Sequence, residues 1–337
     1  SLSLSLSLSL SLSPSLPPAK CFSKDVDHAT EILADILQNA TLGQPQIEQE
    51  RSVILRESQE VNQQPEEVVL DYLHATAYQG TSLGFPILGS EENIKNITRE
   101  DLVNYIKTHY TAPRIVLAAA GGVDHDALVK TAEKLFGGLS SQNNAANLPR
   151  CPFVGSEIRA RDDSMPTAHL ALAVEGVGWA HQDYFPLMIA NAIVGSWDRS
   201  FGGGLNMSSK LAREVTKHQL AHSYMSFHTS YSDTGLWGVY AVTPYDTLED
   251  FVYELQQEWM RICTSVTKAD VERARNQIKA SMLFQTDGTT QVCDEIGRQM
   301  LNYGRRIYAA ELDARLDVCA RKEKKRQWKQ KKKEEEK

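Results

Sequence analysis

Cysteine is scarce in this 337-residue chain and its placement does no obvious chemistry. The five cysteines, Cys21, Cys151, Cys263, Cys293 and Cys319, are odd in number, widely spaced and form no CxxC pair. That excludes a disulfide framework and a thiolate zinc site, and it fits a reducing compartment. No apolar run reaches the roughly 20 residues of a membrane-spanning helix. The nine histidines contain no HxxEH and no HxH, so these two spacings of a histidine metal site are missing. The glycine-rich FGGGLNMSSK stretch lacks the Gly-Lys-Ser/Thr ending and the preceding buried strand of a phosphate loop, and reads as a turn. His222 and His228 fall on one strand face as ordinary half-buried positions.

Positive charge is scarce except at one end. Arg321–Lys337 carries 10 basic and 4 acidic residues, and the whole chain has a net charge of −7, so the remainder is about −13. An acidic body excludes nucleic acid as the expected partner and leaves basic peptides. At the other end, residues 1–18 read SLSLSLSLSLSLSPSLPP. Strict alternation could pair as a strand. With no basic region before it and no arginine in it, the segment has the marks of neither a signal peptide nor a mitochondrial transit peptide. Residues 1–20 therefore read as low-complexity and disordered, and 320–337 as a solvated charged tail.

Between these ends, 42% hydrophobic residues support a sizeable core and the length suits two domains. Val26, Ala29, Ile32, Leu33, Ile36, Leu37 and Ala40 keep helical spacing after Asp25. Residues 78–97 read as loop. Thr98-Arg-Glu-Asp101 opens a helix as a capping box. RIVLAAAGGV, residues 114–123, reads as a buried strand, followed by a helix that Asp124 caps. The polar region 140–155 reads as a linker. Beyond it come expected strands at SEIRARDD, AHLALAVEG, LAHSYMSFHTSY and LWGVYAVTP. Helices are expected over 181–196, SSKLAREV, a long run after Thr247, another after Thr267, and about 291–303. Strands and helices, a linker, then strands and helices again define two α+β domains of similar kind.

The stretch Gln46–Tyr72 carries the candidate chemistry. Ile47, Glu50, Ile54, Glu57 and Val61 step by 3, 4, 3 and 4 residues, which places two carboxylates in one helix stripe with apolar side chains. After Pro65 a second helical run carries Glu67 and Asp71 at i and i+4, side by side on one face. Carboxylates aligned with a buried stripe must be paired, bonded or bound to metal. Spacing alone favours ordinary salt-bridged surface glutamates.

Long segments carry a resemblance that spacing does not. EILADILQNATLG, IEQERSVILRE, VVLDYLHATAYQGTSLG, ILGSEENIK, PRIVLAAAGGV, VEGVGWAHQD, SWDRSFGGGLNMSSKLA, SYSDTGLWG, EWMRICTSVT and IGRQMLNYGRRI together resemble the pitrilysin-like (M16) zinc peptidases. The likeness runs from Cys21 to about Cys319 and is to the mitochondrial processing-peptidase branch, which is related to complex III core subunits. It implies an α+β fold of two homologous sandwich-type domains, each a mainly antiparallel sheet with helices on one side. The expected partition is 21–139 for a first domain without its N-terminal part, 140–155 for the linker, and 156–319 for a second domain without its C-terminal part.

In that family zinc sits on HxxEH plus a distal glutamate, and the distal glutamate falls in ILRE, at Glu57. A supporting acid falls at Glu50. With HxxEH absent, the resemblance implies a metallopeptidase relative in which Glu57 remains and the catalytic histidines do not, so that the zinc expected of the full-length family member is not expected to be held by this chain. Glu67 and Asp71 match the acidic pair with which processing peptidases read an arginine near the cleavage point of a presequence. Two adjacent carboxylates can take a guanidinium in a bidentate fork. Arg213 lies where broader relatives place a substrate-holding arginine, but its tyrosine partner is out of register near His222 and Tyr224, so that pair is not carried over. The implied partners are an α-type subunit in a heterodimer, arginine-bearing presequences and complex III subunits, and the implied location is the mitochondrial matrix or the matrix face of the inner membrane. The alternative function is that of a structural core subunit of respiratory complex III. Such subunits tend to lose the acids that are present here.

Overall fold

The computed structural model describes residues 3–10, 19–142, 149–202, 207 and 209–318. Most of the expected linker core, part of the FGGG turn and the charged tail lie outside these. The described chain forms mixed helix and antiparallel sheet, in two compact units. The first unit is Ser1–Ser58, Gly89–Pro149 and Ser281–Ile307; the second is Gln59–Leu88, Arg150–Ala280 and Tyr308–Lys337.

In the first unit, β1 (Ser3–Leu10) lies between β2 (Ala19–Phe22) and β3 (Ile115–Ala120), antiparallel to both. Leu6 registers with Ala19 on one side and Ala119 on the other. Where disorder is expected over 1–20, an eight-residue strand forms. The reason is local: period-2 alternation is strand patterning, and β2 and β3 together offer the segment two rows of backbone partners. One face of this sheet packs on α1 (Val26–Gln38), through Leu33, Val26 and Ala29 against Cys21, Leu117 and Ala119.

The remaining helices of the first half are α2 (Gln44–Val61), α3 (Pro65–Ala77), α4 (Glu91–Asn96), α5 (Arg99–His109) and α6 (His125–Phe136). The capping box at Thr98 forms with Asp101, and Asp124 accepts from the Ala127 amide at 2.8 Å. Helix α4 occupies part of the region expected as loop, because Ser90 accepts from the Asn93 amide and opens a turn.

In the second unit the sheet order is β4-β7-β6-β5, all antiparallel, with β4 (Ala168–Glu175), β5 (Ser196–Asp198), β6 (Ser223–Ser230) and β7 (Gly235–Thr243). The strand expected at SEIRARDD does not form. Residues 155–165 are exposed and lie outside any strand, with Glu157–Arg159 and Arg161–Asp163 paired two residues apart. The apolar phase of that segment is only Ile158 and Ala160 among five charged residues, too little to make a face worth burying.

The other helices are α7 (Tyr184–Val194), α8 (Lys210–His218), α9 (Leu248–Thr264), α10 (Lys268–Gln285) and α11 (Thr289–Tyr303). Strand β7 is buried along nearly its whole length. Trp237, Val239 and Ala241 point into a core with Leu211, Val215, Phe251 and Leu255 of α8 and α9. Leu236 points the opposite way, into a cluster with Ala77, Tyr78, Phe227 and Ala173. Gly238 makes that second face possible, since a Cβ there would sit 2.8 Å from both Ala173 Cβ and Phe227 Cζ.

The expected fold class, helices with mainly antiparallel sheets, is what forms, and helices pack on both faces of each sheet rather than on one. The end of α3 covers the second face in the second unit. In the first unit, Val292, Cys293 and Ile296 of α11 pack on Ala118 and Ala120. The compact units consequently cut across the expected 139/156 division, taking residues 59–88 into the second unit and 281–307 into the first.

The second unit also contains a buried ion cluster. Arg261 donates to Glu258 at 2.6 and 2.7 Å and to Asp270 at 2.8 Å, with the Glu258 side chain only 3% exposed. Removing one member of such a cluster strands a buried charge. Arg261→Met is expected to lose about 3–5 kcal/mol in urea unfolding, and Glu258→Leu/Arg261→Met to recover most of it.

Candidate functional site

Helix α2 forms where its stripe predicts, yet it buries no residue. Ile47, Ile54 and Val61 are half-buried, and Glu50 and Glu57 are exposed. What ties α2 down is polar. Arg51, with its side chain 15% exposed, pairs with Glu48 at 3.2 Å and donates to the carbonyl oxygens of Ile94 and, at 2.8 Å, Ile97. These carbonyls end α4, so the guanidinium supplies the partners a helix C-terminus lacks and meets the negative end of its dipole.

Pro65 sits in the first turn of α3, where its missing N–H is no loss. Glu66 and Glu67 share that turn, at the positive end of the helix dipole. Glu67, Asp71, His74 and Tyr78 then step by 4, 3 and 4 along one stripe. Its burial rises steadily: Glu67 is exposed, Asp71 and His74 are half-buried, and Tyr78 is 0% exposed. The helix enters the protein at its C-terminal end and leaves its acidic end at the surface.

Around the buried end, His74 Nδ1 donates to Leu70 O at 2.8 Å, and Nε2 lies 2.7 Å from Tyr231 Oη. Tyr78 Oη contacts Thr234 Oγ1 at 3.4 Å, and the Val154 amide donates to Ala77 O at 2.7 Å. Burial, with Tyr78 adding to it, pushes the Tyr231 hydroxyl up to about 12. Near the acidic end, His169 on β4 bonds Tyr240 Oη at 2.7 Å through Nδ1 and Thr167 Oγ1 at 3.1 Å through Nε2. Burial lowers the His169 pKa against an opposing pull from the Glu66 carboxylate, and burial together with Glu66 pushes Tyr240 up to about 12.

The four acids singled out from the sequence thus fall into two pairs. Glu50 and Glu57 belong to the first unit, while Glu67 and Asp71 belong to the second. Each pair shares one helix and one stripe. Among the described residues, no three His, Cys, Asp or Glu side chains are grouped to hold a metal. The HxxxH spacing His218–His222, which the sequence reading passes over, is split by Gln219 at φ 52°, which ends α8 between the two. Tyr224 is a core residue, donating to Val194 O at 3.1 Å, and Arg213 is exposed on α8. Sequence reasoning also missed His74, Tyr231, His169 and Tyr240. The only available signal was that His74 continues the stripe of Glu67 and Asp71.

An antiparallel sheet with helices on both faces carries the acid-bearing helix α3, and the family comparison supplies the class. The description "Peptidase M16 inactive domain" matches residues 96–278, and "Insulinase (Peptidase family M16)" matches residues 18–91. The chain belongs to peptidase family M16. It is 60% identical over 302 residues to the human mitochondrial-processing peptidase subunit beta, covering 89% of this chain and 62% of that protein. The Neurospora crassa mitochondrial-processing peptidase subunit beta is 51% identical over 311 residues, covering 90% and 65%. The probable subunit beta of Schizosaccharomyces pombe is 49% identical over 311 residues, covering 90% and 68%. The chain therefore spans about two thirds of the length of these relatives. Among solved structures, a chain of complex III2 from Candida albicans with Inz-5 bound superposes with a TM-score of 0.84 at 25% identity, covering 94% of this chain and 84% of that one.

Two half-buried strand histidines, His169 on β4 and His228 on β6, give a pH prediction. Burial lowers the pKa of both His169 and His228. Unfolding raises each toward its ordinary value of about 6.5, so the unfolded chain binds more protons below that pH. Stability is fully present above about 6.5 and declines as the pH falls through it toward the folded values. Urea midpoints are expected to drop from about pH 7.5 to about pH 5.5, and the drop should shrink in His169→Gln/His228→Gln.

Proposed function

We propose that this chain is a processing-peptidase subunit of the β type, acting on presequence peptides in the mitochondrial matrix or at the matrix face of the inner membrane, and paired with an α-type subunit. The observation that carries the reading is 60% identity across 302 residues to a mitochondrial-processing peptidase subunit beta. In family terms its partition is 21–139, a linker at 140–155, and 156–319.

The chain's own residues suit recognition better than catalysis. A catalytic zinc, which would supply an activated water, needs about three protein ligands. HxxEH occurs nowhere in the 337 residues, and Glu57, backed by Glu50, supplies one exposed carboxylate site. These donors do not fit a catalytic zinc, and no step is derived through one. Metal analysis of the purified chain is expected to find zinc well below one equivalent. Stoichiometric zinc that Glu57→Gln removes would overturn this.

Glu67 and Asp71 need no metal. They are adjacent on one helix face, with Asp71 half-buried, so that water is partly excluded from one side of the pair. A guanidinium can be held there by two charge-assisted hydrogen bonds in fixed geometry, which a lysine ammonium cannot reproduce. In a fluorescence binding assay, Glu67→Gln/Asp71→Asn is expected to reduce affinity for an arginine-bearing presequence peptide by about tenfold or more, and to leave the arginine-to-alanine peptide unchanged. Equal affinity of the wild-type chain for both peptides would refute the role.

The fold likeness to a chain of complex III2 at TM-score 0.84 favours one second reading, a structural subunit of a respiratory complex III. That reading predicts no arginine preference, so the same assay separates the two.

A further inference from the structure

The candidate acid pair has a hold on the rest of the second unit that its own helix does not supply. Glu67, Asp71, His74 and Tyr78 share one stripe of α3, so whatever fixes the rotation of the buried end fixes the direction of the acidic end. His74 is the first residue of that stripe with a partner from another element. Its Nδ1 faces a carbonyl oxygen, Leu70 O, which can only accept. Nδ1 therefore carries the proton, and in the neutral ring Nε2 must accept, here from the Tyr231 hydroxyl at 2.7 Å.

Tyr231 stands in the turn between β6 and β7, and that turn is closely packed. The Tyr231 amide donates to Thr234 O at 2.8 Å, the Trp179 amide to Tyr231 O at 3.0 Å, and the Cys151 amide to Asp233 Oδ2 at 3.2 Å. Gly178 lies so close that a Cβ there would sit 2.6 Å from Ser232 O. The Tyr231 ring also meets those of His74 and Tyr78 edge-on, at 6.2 and 6.1 Å between centroids. A tightly held turn thus presents one directional hydrogen bond and two ring contacts to the stripe that bears the acids.

We infer that Tyr231, acting through His74, is the positioning residue for Glu67 and Asp71: it sets the rotation of α3 on the sheet and hence the geometry in which the two carboxylates meet an arginine side chain. The inference rests on the arginine-reading role proposed above. A bidentate fork tolerates little misplacement, and a shift of about 1 Å in a positioned group can lose orders of magnitude in a geometry-dependent function. The single hydroxyl of Tyr231 is the group in this contact whose removal changes direction without changing volume.

The test uses the full chain and two readouts. Tyr231→Phe is expected to raise amide hydrogen exchange in 65–77 while leaving that of β6 and β7 unchanged, and to reduce the preference for an arginine peptide over its lysine twin about five- to tenfold. His74→Gln, which loses the ring geometry, should act in the same direction. In the Glu67→Gln/Asp71→Asn background, Tyr231→Phe should have no further effect on peptide binding. Unchanged exchange in 65–77, or an equal binding loss with and without the acids, would overturn the positioning role. A rise in exchange in a chain whose wild type shows no arginine preference would instead leave the hold on α3 standing and reject the arginine-reading role.

Discussion

Strand β7 has no solvent face, and much of the second unit follows from that. Its residues Gly235–Thr243 point alternately to two apolar clusters, and both must be roofed. Water cannot reach the paired backbone of a central strand, so neighbours on both sides, β4 and β6, must satisfy it. One face takes the amphipathic helices α8 and α9, whose Leu211, Val215, Phe251 and Leu255 are almost fully buried. The other face takes the C-terminal end of α3, a helix from much earlier in the chain. Burial of apolar area is non-directional, but Gly238 and the ring of Phe227 leave a shape that the end of this helix fills.

The same constraint explains why acids survive at the open end of α3. A helix that covers a sheet with its last turns has no reason to bury its first ones. Glu66 and Glu67 therefore stay in solvent, where the helix dipole favours them. Asp71 sits at the transition, and His74 and Tyr78 lie beyond it. Helix α2 is the contrast. Its stripe is equally regular, yet its apolar members are only half-buried, and a guanidinium on the end of α4 secures it. One acid pair thus sits on a helix anchored by packing, and the other on a helix anchored by polar contacts.

Legibility from the sequence followed the range of the forces involved. The helix starts at Thr98, Asp124 and Thr267 could be read because a cap is made within three residues. Strands β4 and β7 could be read because they are apolar runs bounded by turn residues, and β6 because it is rich in aromatic and strand-favouring residues before a Ser-Asp-Thr-Gly turn. SEIRARDD was misread because its alternation has an apolar phase of only two residues, Ile158 and Ala160, and Ser3–Leu10 because a pattern cannot say whether partners exist for it. At the site, the grouping of Glu67 with Asp71 follows from helical spacing alone. Tyr231 lies 157 residues from His74, and no periodicity connects positions so far apart.

By itself the sequence determined most of the helices, the strands β3, β4, β6 and β7, which residues share a stripe, and that no HxxEH is present to complete a metal site. These are local matters, decided by backbone geometry and side-chain spacing over a turn or two. Only the tertiary structure decided that α3 roofs one sheet and α11 the other, that Glu50 and Glu57 fall in a different unit from Glu67 and Asp71, and that a tyrosine in a distant turn bonds His74 on the stripe of the second pair. Such outcomes depend on which surfaces fit together once the chain has collapsed, and shape complementarity is a property of assembled elements that no single element carries.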